Sequence, residues 1–215
     1  INADLSIKSK IHHLADFVKT RFGKLDVLIN NAGVFMKERV LNEDGLEMTF
    51  AVNHIAHYIL TGLLLPCLKN SPQGRIVTVS SIAHRNAHLD FSNLQGEIKF
   101  EPYNAYALSK LANVFFAFHL ASLLKETAIT SNTLHPGVIT TKLLKAGFNM
   151  SGATLGEGAE TSVYLASSPD VEKVTGKYFI KSRESETSPV AKDENMQKEF
   201  WEITEQLSGY TYTLP

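Results

Sequence analysis

The stretch LDVLINNAG, residues 25–33, decides the fold. Its first part, LDVLI, is apolar on both alternating faces, the pattern of a strand inside a parallel sheet that helices cover on either side. Its last part, NNAG, is small, polar or glycine, so the strand ends where backbone can come close to a flat ligand. Upstream, Ile7, Ile11, Leu14, Ala15 and Val18 recur with helical period, behind a serine cap at Ser6 and ahead of a stop at Gly23. Downstream, the pattern predicts a helix from about Asp44 to Leu68, a strand RIVTV at 75–79 and a helix from about Asn104 to Lys125. Strands ITSNTL at 129–134 and GKYFI at 176–180 follow, with a last helix over 193–207. Thr154 and Glu157 form a T-x-x-E capping box before EGAETSVYLA, so Gly156 and Gly158 are helix-entry residues rather than a phosphate loop. The polar, proline-bearing run KSRESETSPVAKDEN, 181–195, is expected to be a surface loop. Strands alternating with helices at this spacing define an α/β fold, a doubly wound, Rossmann-like parallel sheet forming one domain over residues 1–215.

Composition narrows the function. The 21 basic and 22 acidic residues nearly cancel, leaving no field to draw nucleic acid or an acidic membrane. Cys67 is the single cysteine, which excludes an internal disulfide, fits a reducing compartment and, within LLLPCL, suits a small buried hydrophobe. The longest oily tract, YILTGLLLPCL, is too short and too near a proline to span a bilayer, and no signal peptide is visible. The expectation is a cytoplasmic protein.

In an open α/β sheet the ligand crevice lies outside the carboxyl ends of the strands. Those ends carry NNAG (30–33), SSIAH (80–84) and HPGVITT (135–141). Within NAYALSK (104–110), Tyr106 and Lys110 are one helical turn apart on one face. A free phenol, with a pKa of about 10, is a poor base at neutral pH. An ammonium roughly 5 Å away at an effective dielectric of about 20 contributes about 3 kcal/mol, enough to lower that pKa by about two. A hydroxyl such as that of Ser81 would hold a carbonyl or alkoxide oxygen beside the phenol. The competing reading is a chance pair on a helix surface. A metal site at His54 and His57, or at His84 and His88, is disfavoured because no H-E-x-x-H or cysteine cluster accompanies them.

NNAG, VNH, VSS, Y-A-L-S-K and HPG occur in the order and approximate spacing of the short-chain dehydrogenase/reductase family, which the sequence closely resembles over essentially its whole length. SSIAH, LDFSNLQ and Y-x-x-SKLANVFFA are most similar to the retinol dehydrogenase-like branch, which includes the oxidoreductase domain found with WW modules. The resemblance implies Tyr106 as catalytic acid–base, Lys110 lowering its pKa and binding the nicotinamide ribose, Ser81 rather than Ser80 holding the substrate oxygen, and Asn53 anchoring a relay water. It implies an NADP or NAD cofactor against Asn31, Ala32 and Gly33, with Asp4 near the adenine and Pro136, Gly137, Ile139 and Thr141 around the nicotinamide and pyrophosphate. The substrate would be a small apolar alcohol, aldehyde or ketone, retinoid- or lipid-like, walled by residues 138–155 and by LDFSNL, IKF and PY of the 82–103 insertion. A homodimer through the helices at 44–68 and 104–125 is also implied, their outer faces carrying Phe115 and Phe118, which burial in a monomer core would explain equally well.

The family's T-G-x-x-x-G-x-G turn has no counterpart in this sequence, nor do the first two strands and helices, and Ile1–Ala3 is at most a stub of the third strand. The expectation is the C-terminal portion of a longer oxidoreductase, membrane-associated if the branch's N-terminal anchor precedes it, with LDVLI as an exposed sheet edge. Two alternatives stand beside it. One is an inactive fragment or truncated isoform acting through protein interaction. The other, an epimerase or dehydratase, is disfavoured by the short chain after Lys110.

Overall fold

The computed structural model describes residues 1–148 and 150–213. Its core is a five-stranded sheet in the order β1-β2-β3-β4-β5. These are β1 (Val27–Asn30), β2 (Arg75–Val79), β3 (Thr130–His135), β4 (Tyr178–Ile180) and β5 (Arg183–Glu184). The first four run parallel, with Val27 opposite Arg75, Val77 opposite Asn132 and Leu134 opposite Phe179. β5 turns back antiparallel through Lys181 and Ser182, both at positive φ. Periodicity predicts neither β5 nor the short helix α5 (Lys142–Phe148), because each is shorter than the window in which a period can be seen.

Helix α1 (Lys8–Phe22) stops at Gly23, whose φ of 66° is the left-handed conformation glycine adopts freely. The long helix after β1 is not uniform. A single turn, α2 (Met48–Phe50), capped by the Glu47 carboxylate, widens into a π-helical turn at Ala51–Ile55 before α3 (Ala56–Lys69). The whole Met48–Lys69 run is long and apolar enough to cross a membrane by length and composition, yet 89% of its most apolar window lies buried in the fold. Helix α4 (Pro102–Leu123) packs beside it, and α6 (Leu155–Ser167) covers the opposite face of the sheet, entered through the expected Thr154–Glu157 capping box.

The last helix, α7 (Glu194–Ser208), and the tail behind it lie across the outer faces of α3 and α4. Phe200 meets Phe115 at 5.4 Å between ring centroids, and Trp201 stacks on Phe116 at 5.9 Å. The Tyr212 hydroxyl donates to the Tyr58 carbonyl at 2.7 Å. Tyr210 comes so close to α3 that a Cβ on Gly62 would sit 2.3 Å from its ring, so only glycine fits there. The chain's own C-terminus covers part of the apolar helix faces expected to form a dimer: Phe115 is buried in the monomer core, whereas Phe118 stays half-buried.

Candidate active site

Ser81, Tyr106 and Lys110 meet in a cavity of about 450 Å³ at the carboxyl ends of β1, β2 and β3. Asn31, Gly33, Pro136, Gly137, Ile139 and Thr141 line the same space. Asn53 stands behind Gly33, where a Cβ would lie 3.4 Å from the Asn53 Oδ1 and 3.6 Å from the Lys110 Nζ. Ala32 is not among the lining residues. Asp4 stays away from the cavity, exposed, accepting from the Ser6 N–H and hydroxyl at 2.9 and 2.7 Å to close the turn before α1.

Each of the three side chains that meet in the cavity is held by identifiable partners. Ser81 has extended backbone, and its Oγ accepts from the Ala83 N–H at 3.2 Å, which orients the hydroxyl proton away from that donor. That hydroxyl bonds the Tyr106 phenol and lowers its pKa, but burial raises it more, so the net displacement of Tyr106 is upward. Lys110 is 3% exposed, and burial holds its ammonium down to about 8. Its Nζ donates to the Val79 carbonyl at 3.1 Å and lies 5.7 Å from the centre of the Tyr106 ring. The net lowering of the Tyr106 pKa expected from Lys110 is not reached here: the ammonium is directed at the Val79 carbonyl, and desolvation of the phenol outweighs the Ser81 hydrogen bond that favours its anion.

The Ser80 and Ser81 hydroxyls point to different partners. The Ser80 hydroxyl donates to the Lys110 carbonyl at 2.7 Å, tying β2 to α4, and leaves Ser81 as the hydroxyl next to Tyr106. Asn53 sits in the π-helical turn, a distortion that commonly marks functional sites. Its Oδ1 accepts from the Val34 N–H at 2.7 Å, and its Nδ2 donates to the Val34 carbonyl and to the Ser109 Oγ, each at 3.0 Å. Ser109 in turn donates to the Tyr106 carbonyl at 2.7 Å. Both amide protons of Asn53 are therefore spent on protein, and the side chain acts as a clamp between the β1 loop and α4.

Several residues of this frame escaped sequence reasoning. Asn113 donates to the same Val79 carbonyl as Lys110, at 3.2 Å. Asn30 reaches Thr61 at 2.9 Å, fastening the end of β1 to α3. Phe35 packs 5.7 Å from the Tyr106 ring, and α5 approaches it so closely that a Cβ on Gly147 would fall 2.8 Å from the Phe35 ring. The substrate-side wall also differs in part. Val138, Leu143, Leu144 and Met150 line the cavity, as do Ile82 and Tyr103 from the insertion. Leu89, Phe91 and Leu94 instead pack into the main core, with Phe91 against Phe200, and Ile98 is 75% exposed, so LDFSNL and IKF do not form the wall. His54 is likewise a core residue, bonded by Nε2 to Thr204 at 2.9 Å.

The residues present fit the nicotinamide ribose end of a dinucleotide. Apolar Pro136 and Ile139 offer a surface for a flat ring, Gly33 leaves room for close approach, and an ammonium beside a phenol supplies hydrogen bonds for ribose hydroxyls.

The short chain dehydrogenase family model matches residues 1–152. Retinol dehydrogenase 14 of Homo sapiens is 44% identical over 199 residues, covering 86% of this chain and 59% of that protein. Polyprenol dehydrogenase of Homo sapiens is 36% identical over 223 residues, covering 96% and 68%. The crystal structure of an uncharacterized protein from Mycobacterium Paratuberculosis superposes with a TM-score of 0.82 at 30% identity, covering 99% of this chain and 76% of that one. The chain thus spans about 59% of the length of retinol dehydrogenase 14.

Proposed function

The chain belongs to the short-chain dehydrogenase family, and from that premise we propose that the whole protein is an NAD(P)-dependent oxidoreductase interconverting an apolar alcohol with its aldehyde or ketone. The observation that carries the proposal is the meeting of Ser81, Tyr106 and Lys110 in one cavity whose outer wall is apolar. Retinol dehydrogenase 14 and polyprenol dehydrogenase are named for isoprenoid alcohols, and Val138, Leu143, Leu144 and Ile82 suit such a chain.

A bound nicotinamide nucleotide supplies the hydride exchange at the alcohol carbon. The protein's part is to orient the substrate and move its proton. The Ser81 hydroxyl, oriented by Ala83, holds the substrate oxygen within reach of the phenol. Tyr106, a protonated phenol that burial holds above the ordinary tyrosine range, donates to the oxygen as charge develops in the reductive direction. In the oxidative direction it must accept that proton, and the Ser81 hydrogen bond is what favours the phenolate. Lys110, largely charged at pH 7, keeps a cation beside the developing anion, and Asn53 holds the loop that carries Gly33.

The test is turnover of all-trans retinol by the whole protein with NADP or NAD, beside the variant Tyr106→Phe. Expected are retinal formation by the wild type and at least a roughly thousandfold lower kcat in the variant, with nucleotide affinity within about threefold. Retained turnover in Tyr106→Phe would remove the proposed acid–base, and failure of the wild type to bind either nucleotide would remove the oxidoreductase assignment.

A further inference from the structure

We propose that His84 is a positioning residue that fixes the orientation of Ser81 by stitching the turn after β2 to the C-terminal segment around Ser188. The Ser81 carbonyl accepts twice from His84, from its backbone N–H at 3.1 Å and from its Nδ1 at 2.7 Å. A carbonyl can only accept, so Nδ1 carries the ring proton and Nε2 is left as an acceptor. The Ser188 N–H, 104 residues away in sequence, donates to that Nε2 at 3.2 Å. Both ring nitrogens are satisfied in one neutral tautomer, in a ring 1% exposed and edge-on to Tyr178 at 5.0 Å. A second stitch runs alongside, from the Arg85 guanidinium to the Glu186 carbonyl at 2.6 Å.

This bridge bears on chemistry because Ser81 is fixed at both of its polar ends. The Ala83 N–H holds the hydroxyl oxygen, and His84 holds the carbonyl of the same residue. Tilting the Ser81 peptide would swing the hydroxyl out of line with Tyr106, and small misplacements of a reacting group are costly in rate. Burial holds the His84 ring below the ordinary histidine range, so at neutral pH it stays in the uncharged form that can accept from Ser188. The 185–188 segment, expected to be only a surface loop, thereby becomes part of the frame of the site.

The inference rests on Ser81 acting in the proposed reaction, and the test separates the two. Ser188 has a φ of −65°, which a proline ring matches, and Ser188→Pro replaces the N–H with a ring carbon directed at the His84 Nε2, so it both removes this bond and pushes the imidazole away. Its hydroxyl has no partner among the described residues, so Ser188→Ala keeps the bridge intact. In the whole protein, Ser188→Pro is expected to lower kcat about tenfold at unchanged nucleotide affinity and nearly unchanged KM for retinol, with Ser188→Ala within about twofold of wild type. His84→Asn, which keeps a donor near the Nδ1 position, should retain several-fold more kcat than His84→Phe. Equal kcat in Ser188→Pro and Ser188→Ala, or no advantage of Asn over Phe, overturns the proposal. Should a variant fail to fold, the ¹⁵N spectrum of the wild-type imidazole decides: an Nδ1-protonated neutral ring supports the bridge, and an Nε2-protonated ring overturns it. A wild type inactive with both nucleotides would count against the oxidoreductase reading alone, since the tautomer is measured without turnover.

Discussion

β1 and β2 read alike in sequence, two short apolar runs each ending in small polar residues, but they occupy unlike positions. β2 is buried along its whole length and lies between two strands, whereas β1 has one hydrogen-bonded neighbour among the described strands and leaves Ile29 41% exposed. Their ends differ accordingly. The end of β2 is bound on every side: Ser80 to α4, Ser81 to His84, and the Val79 carbonyl to both Lys110 and Asn113. The end of β1 depends on two asparagines, Asn30 beneath it and Asn53 behind its loop. Hydrophobic pattern identifies a strand, but the neighbours that make its end rigid are a property of the sheet. In the proposed reaction, proton transfer falls to the rigid end and close approach of the nucleotide to the more open one.

The largest effect should come from breaking the β2 end at Lys110. Lys110→Met removes the cation beside Tyr106, and kcat is expected to fall at least about a hundredfold. Stability should move the other way. The folded-state pKa of about 8 lies below the ordinary lysine value of 10.5, so the fold disfavours the charged form, a penalty fully present below pH 8 and relieved as pH rises toward 10.5. That gap corresponds to about 3 kcal/mol at most. The Val79 carbonyl keeps its bond from Asn113, so the methionine leaves no orphaned acceptor. Urea unfolding at pH 7 should therefore show Lys110→Met more stable than wild type by about 1–3 kcal/mol, and a less stable variant would contradict the assigned cost of burying the ammonium.

The β1 end is expected to break at Asn53. Asn53→Ala strips the Val34 N–H and carbonyl and the Ser109 hydroxyl of their partner, three bonds at about 1 kcal/mol each. A loss of about 3 kcal/mol is expected in urea unfolding, with KM for the nucleotide rising more than KM for the alcohol because the loop carrying Gly33 is released. Equal rises in both would mean that the clamp serves the two ends alike.

This clamp also marks the limit of what is legible in the sequence. Tyr106, Lys110 and Ser81 are visible because their residue types, order and spacing follow the family's motifs, and the parallel sheet is visible because continuous apolar runs alternate with helical periods. Asn53 stands out by motif, but its partners are the backbone of Val34 and a serine 56 residues away, contacts that exist only after folding. His84 and Ser188 are further apart still. The direction of the Tyr106 pKa escapes sequence reasoning for the same reason: spacing gives the distance between two side chains, not how much water each loses or which carbonyl the ammonium finds.

His57 lies in α3 next to both ends, feeling the Lys110 charge and the backbone of Ala32, and it sharpens the comparison by pH. It is 1% exposed, neither ring nitrogen completes a hydrogen bond among the described residues, and burial followed by the Lys110 charge holds its pKa down to about 3. The unfolded chain takes up a proton near pH 6.5 that the folded chain refuses, so this residue's contribution is intact above that pH and is lost progressively on acidification toward about 3. At about pH 5 the loss is about 2 kcal/mol from this one ring. His57→Leu should unfold at lower pH than wild type while matching it at neutral pH. An unchanged acid transition would mean that water satisfies the ring.

The smallest effect is expected at Ile29, and it bears most directly on why β1 and β2 differ. If β1 is an open edge, a lysine there stays solvated, so Ile29→Lys in the 215-residue chain should change stability by less than about 0.5 kcal/mol. It should also reduce self-association in light scattering, since a charge on an edge strand opposes strand addition. The same substitution inside β2, Val77→Lys, would put an ammonium where 1% of the residue is exposed and should prevent folding. A cost of several kcal/mol for Ile29→Lys in a longer version of the protein, alongside tolerance in this one, would mean that added chain lies over β1. The openness of that strand would then be a property of how much chain is present, while the rigidity of the β2 end would not.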